Sequence, residues 1–227
     1  MLDMSIWDLS SQMQEPFSLN EIRPITQQLL VAFEALKGIG IIHTDLKPDN
    51  VMLVNHKSQP FRIKLIDFGL ALPASKAELV NGLTPGWELM TPSQYKMVSG
   101  VQPEFPSLYF DDVKDLTVAV MEKTEEHDYD TSEDKITLSE VMCEDKMAFL
   151  DLLNRLLNLD GQTRITPGQA LEHGFVTMFH LEDNMHSNPH ASEAFKMMDI
   201  CTRDLSDAMC DPLSDPSENG ETDIGVT

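Results

Sequence analysis

The segment at residues 40–69 constrains this chain more than any other, because it places two polar motifs at the ends of a predicted β-hairpin. The first motif, HTDLKPDN, covers residues 43–50, and the second, DFG, covers residues 67–69. Two strand-like runs lie between the motifs, joined by turn-forming residues: 51–54 and 61–66. A hairpin of these strands brings Asn50 and Asp67 to one end, close enough to share a metal ion.

The two motifs resemble the catalytic loop and the metal-binding loop of protein kinases, which read H-R-D-L-x-x-x-N and D-F-G. The sequence departs from this pattern at one position, where Thr44 replaces the usual Arg. A lone DFG would be a weak signal, but two motifs in this order, joined by a hairpin, are specific. The resemblance implies phosphoryl transfer, which requires the γ-phosphate, the metal ion and the acceptor hydroxyl to be held in line.

The kinase resemblance implies a role for each polar residue of the motifs. Asp45 would accept the proton of the substrate hydroxyl, and Lys47 would place a positive charge beside the γ-phosphate of ATP. Asn50 and Asp67 would supply oxygen ligands to Mg²⁺, a cation that prefers oxygen. The implied cofactors are therefore ATP and Mg²⁺.

A closer resemblance is to the homeodomain-interacting protein kinases. It rests on the small residue Thr44, on the runs at 47–54 and 75–77, and on two C-terminal runs at 164–167 and 173–178. This family implies a nuclear serine/threonine kinase with some tyrosine activity toward itself.

Two residues outside the motifs would contact the nucleotide base in such a kinase. Met52 would form the floor under the purine. Leu2 lies in the segment that matches the hinge between the two kinase lobes, where the backbone would hold adenine.

Helical periodicity outside the hairpin predicts an α+β, mainly helical fold, corresponding to the large (C-terminal) lobe of the kinase fold with the short hairpin carrying both loops. Ser18 and Glu21 form a capping box before a helix predicted to end at Gly38. Three other helices are predicted. A short one lies near residues 6–9 and is ended by Pro16. A second covers 144–159 and has Met147 on its apolar stripe, and a third begins at Pro167.

Several parts of a complete kinase domain have no counterpart in the sequence. It contains no G-x-G-x-x-G loop and no V-A-I-K strand, and neither an activation loop nor an A-P-E motif follows Gly69. We therefore expect residues 1–203 to be a partial kinase domain with an internal deletion near 78–83. Arg164 would pair with the missing A-P-E glutamate, so either it has another partner or it has none.

The acidic composition restricts the binding partners of the chain. A formal net charge of −22 argues against nucleic acids and anionic membranes, which attract clustered Lys and Arg. Residues 122–134 are predicted to be a solvated loop, and the alternative is an acidic docking patch. Residues 204–227 contain seven acids and no Lys or Arg, and they are predicted to be a disordered tail.

The sequence also bears on the compartment in which the chain functions. Three widely spaced cysteines indicate neither a disulfide framework nor a zinc site, and no signal peptide or membrane-spanning run is recognised. We expect a monomer in the nucleus or cytoplasm that acts on protein substrates or binds protein partners.

Two functional hypotheses follow. In the first, the chain is an ATP-dependent serine/threonine, or dual-specificity, protein kinase by ancestry, with little or no activity as an isolated chain. In the second, it is a catalytically dead, pseudokinase-like fragment that serves as a protein-interaction module. A defective gene model or a splice product is compatible with both.

Overall fold

The computed structural model describes residues 2–79, 96–97, 100, 133–158 and 160–202. Most of the expected deletion site near 78–83 and the whole acidic tail at 204–227 lie outside the described residues. Within the described residues, none of the helices has the length and hydropathy that crossing a bilayer requires.

Within the described residues, two helices precede a group of four short strands and four helices follow it, and the fold is mainly helical, as predicted. The elements in chain order are α1 (Ile6–Gln12), α2 (Leu19–Gly38), β1 (Ile41–Ile42), β2 (Val51–Asn55), β3 (Gln59–Leu65), β4 (Leu72–Pro73), α3 (Glu133–Leu156), α4 (Pro167–Leu171), α5 (Gly174–Thr177) and α6 (Pro189–Thr202). Three 3₁₀ turns complete the described chain: Pro48–Asn50, Ala74–Leu79 and Phe179–Asn184.

Helix α2 is the central element of the structure and begins where the sequence predicts. The Ser18 hydroxyl accepts a hydrogen bond from the Glu21 backbone N–H, and the Glu21 carboxylate accepts one from the Ser18 N–H at 2.7 Å. These two bonds satisfy amides that an uncapped helix leaves without a partner. The helix packs against α4, α6 and β3, with smaller contacts to α3, α5 and β1.

The predicted hairpin is confirmed, with β2 and β3 antiparallel and Leu53 opposite Ile63. Its inward side chains form one apolar core with α1 and α2: Leu9, Ile25, Val51, Leu53, Phe61 and Ile63. Gln28 of α2 binds the edge of β3 through both ends of its amide. Its Nε2 donates to the Phe61 carbonyl at 2.9 Å, and its Oε1 accepts from the Ile63 N–H at 3.0 Å. The side chain therefore fixes the hairpin against α2.

The boundaries of two predicted helices are wrong. Helix α3 begins at Glu133 instead of 144 and ends at Leu156 instead of 159, so the last two residues of the predicted loop at 122–134 are helical. The rest of that loop lies outside the described residues. Helix α1 ends at Gln12, well before Pro16, because the Met13 N–H already closes the last turn by donating to Leu9.

The predicted apolar stripe of α3 is also partly wrong. Met147 is 55% exposed, whereas Leu150 and Leu152 are buried. The face of α3 that packs is set by its neighbours, since the Phe149 ring lies 5.1 Å from the ring of Phe175 on α5. A single-sequence periodicity cannot choose between two adjacent apolar stripes when the position of the partner helix decides.

A buried ion pair between α2 and α3 was not predicted. The side chains of Arg23 and Asp145 are both fully buried, and Nη2 of the guanidinium donates to both carboxylate oxygens. The other two Arg23 nitrogens are also hydrogen-bonded: Nε donates to the Phe175 carbonyl at 2.9 Å and Nη1 to the Asn20 side chain at 2.9 Å. Hydrogen bonds of this kind from each nitrogen are what make a buried charge tolerable.

Two histidines complete the environment of Asp145. His180 Nε2 lies 3.0 Å from one carboxylate oxygen, and His190 Nε2 lies 2.8 Å from the other. Burial alone would raise the pKa of Asp145, but hydrogen bonds from both histidines and the charge of Arg23 lower this pKa far below its ordinary value. The carboxylate therefore connects α2, α3, α6 and the Phe179–Asn184 turn.

Replacing Asp145 should destabilise the fold strongly. We expect Asp145→Asn to lower the free energy of unfolding by about 3–5 kcal/mol, because the Arg23 guanidinium would remain buried without its counter-charge. Urea denaturation followed by circular dichroism measures this change. The matched control is Asp151→Asn on the same helix, whose side chain is about half exposed and has Arg155 at 2.9 Å and His173 at 2.8 Å as partners. The control should lose less than about 1 kcal/mol, and equal losses would contradict the assignment.

The same carboxylate should make the stability depend on pH. The pKa of Asp145 is lower in the folded chain than its ordinary value of 3.8, so the unfolded chain binds the proton more readily. The stabilisation is therefore complete above the ordinary pKa and is lost as the pH falls toward the folded-state pKa. Urea midpoints measured between neutral and acidic pH should fall more steeply for the wild type than for Asp145→Asn.

Candidate functional site

The two motifs meet at one end of the hairpin, where paired strands hold both loops. The catalytic-loop motif at 43–50 connects β1 to β2, and the metal-loop motif at 67–69 lies between β3 and β4. Strand β1 pairs with β4, just as β2 pairs with β3. The Ile66 N–H also donates to the Asn50 carbonyl at 2.9 Å, which continues the hairpin pairing up to Asp67. Each loop is thus held at both of its ends.

Asp45 is the centre of a small polar cluster. Lys47 Nζ donates to Asp45 Oδ2 at 2.9 Å, and Asn50 Nδ2 donates to the same oxygen at 3.0 Å and to the Asp45 carbonyl at 2.8 Å. The hydrogen bond from Lys47 lowers the pKa of Asp45, burial opposes this, and the bond from Asn50 lowers it further. The carboxylate is therefore ionised at neutral pH. The same contact raises the pKa of Lys47, with a smaller contribution from the charge of Asp67.

Asn50 and Asp67 are positioned so that each offers oxygen atoms to a cation. Asn50 is buried, and since its amide nitrogen is used by Asp45, the amide oxygen is the atom available for a metal. Asp67 is exposed and has a left-handed backbone with φ 60°, which aspartate tolerates better than most residues. Gly69 closes this turn by donating its N–H to Asp67 Oδ1 at 3.2 Å, and a Cβ at Gly69 would lie only 3.1 Å from that oxygen.

This donor set fits Mg²⁺ better than Zn²⁺ or another soft metal. The two side chains contribute only oxygen, and no cluster of three or more His, Cys, Asp or Glu suitable for a metal occurs among the described residues. Magnesium is commonly held by one or two protein oxygens together with the phosphates of a nucleotide. The residues present therefore suit a metal that arrives with ATP.

His43 connects the two loops, a role that sequence reasoning did not assign. Its Nε2 donates to the Ile66 carbonyl at 2.9 Å, while Nδ1 accepts the Asp45 backbone N–H at 3.3 Å. Because a carbonyl can only accept, this pattern places the proton of the neutral ring on Nε2. The ring also packs against Phe68, with 4.8 Å between the centroids. The signal for this role was its position at the head of the first motif.

Of the two predicted base-contacting residues, Met52 lies on β2 and Leu2 lies in the segment that precedes α1. The segment after Leu2 pairs with β2: the Asp3 N–H donates to the Leu53 carbonyl at 2.9 Å, and Leu53 N–H donates to Met4 at 2.8 Å. Ser5 forms a bridge with Met52. The structure therefore brings the predicted hinge segment beside Met52. Within the described residues, no hydrogen bond joins Leu2 to the polar side chains of the two loops.

An apolar cavity of about 630 Å³ lies on the other side of the catalytic loop. The lining comes from the end of α2, from β1 and from the first residues of the catalytic loop: Phe33, Leu36, Lys37, Gly40, Ile41, Ile42, His43, Thr44, Leu46 and Ala74. None of the predicted catalytic, metal or nucleotide residues is among them. Leu46 is 52% exposed and the neighbouring Ile39 is 72% exposed. Exposed apolar side chains therefore lie at this cavity, and another, Met147, lies on α3.

Arg164 has a partner, which decides between the two expectations for it. Its Nε donates to the Asn158 carbonyl at 2.7 Å, across the turn between α3 and α4. The turn itself is closed by Asp160, whose backbone carbonyl accepts the Arg164 N–H at 2.8 Å. Arg164 therefore stabilises the turn between these helices.

Comparison with known proteins finds a family match over the part of the chain that carries both motifs. Residues 2–93 match the family model of the protein kinase domain. The matched stretch contains both motifs and every predicted site residue, from Leu2 to Asp67. Residues 2–93 are therefore protein kinase domain sequence.

More particularly, the chain is similar over most of its length to homeodomain-interacting protein kinases. Homeodomain-interacting protein kinase 1 of Rattus norvegicus is 28% identical over 284 residues, which cover 89% of this chain and 23% of that protein. The protein of the same name from Caenorhabditis elegans is 30% identical over 89% of this chain and 34% of its own length. Homeodomain-interacting protein kinase 4 of Homo sapiens is 47% identical over 66 residues, 29% of this chain and 11% of that protein. The chain spans at most 34% of the length of these relatives.

Removing Lys47 should raise the pKa of Asp45 toward its ordinary value of 3.8. The Lys47→Met variant loses both the hydrogen bond and the positive charge that favour the carboxylate. Carbon-detected NMR titration of the aspartate side chains measures the change. Lys57→Met, in the exposed turn between β2 and β3, is the control and should leave Asp45 unchanged. A pKa of Asp45 that is the same in both variants would mean that the contact is not formed in solution.

Proposed function

We propose that this chain is by ancestry a serine/threonine, or dual-specificity, protein kinase whose site transfers the γ-phosphate of ATP to a protein hydroxyl. The observation that carries the proposal is the hydrogen-bonded cluster of Asp45, Lys47 and Asn50, held beside Asp67 by the paired strands. These residue types at these positions are what in-line phosphoryl transfer needs.

Each residue has a defined task in this proposal. Asp45, an ionised carboxylate, accepts a hydrogen bond from the acceptor hydroxyl and takes its proton. Lys47 balances charge near the γ-phosphate. Asn50 and Asp67 hold Mg²⁺, which when bound with ATP neutralises charge on the phosphates. Met52 and the hinge segment at Leu2 contact the adenine.

We further propose that the isolated chain has little or no phosphotransfer activity. The alignments run over 284 residues, longer than this 227-residue chain, although they cover only 89% of it. This excess supports an internal deletion in this chain relative to its relatives, near 78–83 within a partial domain at 1–203. Asp67 and Lys47 are exposed, and water around exposed charges weakens their interaction with phosphate.

The second candidate function is a protein-interaction module. The observation that favours it is the open apolar cavity behind the catalytic loop, with Ile39 and Leu46 largely exposed beside it. In either case we propose a monomer in the nucleus or cytoplasm, the nucleus on family resemblance. The net charge of −22 supports protein substrates or partners over nucleic acids.

Calorimetric titration with ATP and Mg²⁺ tests the proposed site. Wild-type chain should bind the nucleotide only when Mg²⁺ is present, and Asp67→Asn should abolish this Mg²⁺-dependent binding, since it removes one charged ligand. Asp199→Asn on α6 makes the same change in net charge far along the chain and should bind like the wild type. Absence of binding at millimolar nucleotide by a folded sample would leave interaction as the function.

Transfer of phosphate from labelled ATP to a generic protein substrate tests the proposed inactivity. We expect no signal above that of the Asp45→Asn variant, which lacks the proton acceptor. Phosphorylation by the wild type that Asp45→Asn abolishes would refute the inactivity and support a working kinase.

A further inference from the structure

Thr44 has a strained backbone inside the candidate site. Its φ of 66° is left-handed, a conformation that branching at Cβ makes costly. Among the described residues, three other non-glycine residues have positive φ: Phe61, Asp67 and Met178. Two of the four strained positions, Thr44 and Asp67, thus lie in the two loops of the site. Such strain persists only where surrounding contacts hold the residue in place.

The contact that accompanies this strain is a hydrogen bond to the metal-loop segment. Thr44 Oγ1 donates to the Leu70 carbonyl at 2.7 Å, the usual length of an O–H···O hydrogen bond. The Leu70 side chain is 62% exposed, so its own packing does little to fix the main chain at this point. The hydroxyl of Thr44 is therefore a direct link from the catalytic loop to the chain just after DFG.

The hydrogen bond from Thr44 to Leu70 lies on the opposite side of Asp67 in the chain from the contacts of Ile66. The contacts to Ile66, from His43 and from Asn50, hold the chain immediately before Asp67. The Thr44 hydroxyl holds it three residues after Asp67, before β4 begins at Leu72. Together these contacts hold the DFG turn from both sides, and the catalytic loop supplies the anchors for both.

We propose that Thr44 is a positioning residue that fixes the DFG turn, so that the Asp67 carboxylate stays beside Asn50. The residue does not touch substrate or metal; it acts through the Leu70 carbonyl. An arginine at this position has no hydroxyl on Cβ and cannot make the same hydrogen bond. The consequence for Mg–ATP rests on the proposed function, whereas the link between the loops does not.

The test compares two substitutions that separate the hydroxyl from the shape of the side chain. Thr44→Val keeps the branched shape and removes the donor, whereas Thr44→Ser keeps the donor. Hydrogen exchange is measured in the chain without nucleotide, on the peptide at 66–73. Exchange should be roughly three- to tenfold faster in the valine variant, the range expected from losing one hydrogen bond. In the serine variant the exchange rate should be near that of the wild type. Exchange at the hairpin tip, 55–59, should be unchanged in both.

Mg–ATP titration of the same variants supplies the second measurement. The valine variant should bind with a several-fold higher Kd and the serine variant like the wild type. Equal exchange at 66–73 in the valine and serine variants would overturn the proposal. So would faster exchange with an unchanged Kd, because the link would then position nothing. If the wild type itself binds no Mg–ATP, the proposed function fails, and the exchange rates alone decide whether Thr44 holds the turn.

Discussion

The ion pair between Arg23 and Asp145 is the interaction on which the arrangement of the helices depends. Two fully buried charges are stable only in a geometry that satisfies all of their hydrogen bonds, and here the partners come from α2, α3, α5, α6 and the turn at Phe179–Asn184. A shift of any one of these elements would leave a buried donor or acceptor without its partner. Apolar packing alone is less selective, because hydrophobic contacts have no direction.

The position of α2 then determines the position of the site. Gln28 binds the edge of β3, and the end of α2 leads through Gly40 into β1. Gly40 has φ 67°, which lets the chain reverse at this point. The candidate site thus consists of two loops between short paired strands, both attached to a helix that the ion pair holds in place. The polar residues within it are arranged by contacts between the loops, above all those of His43.

Several features could be read from the sequence because they arise from local interactions. The capping box at Ser18 and Glu21 and the hairpin at 51–65 depend on residues close in the chain, and both were predicted. The start of α3 was placed too late, since the acidic residues before 144 looked solvated and carried no clear periodicity. Met147 was assigned to the packed face, but the Phe175 ring lies over a neighbouring stripe.

The sequence by itself determined which residues are candidates for chemistry: two motifs of fixed spacing predict kinase-type roles for Asp45, Lys47, Asn50 and Asp67, because such chemistry requires particular side chains in a particular order. Only the tertiary structure decided how those residues are held. The contacts of Arg23 with Asp145, 122 residues apart, and of Thr44 with Leu70 depend on where distant segments meet. Such contacts leave no periodic pattern in one sequence, since any buried donor needs a partner but nothing local specifies which one.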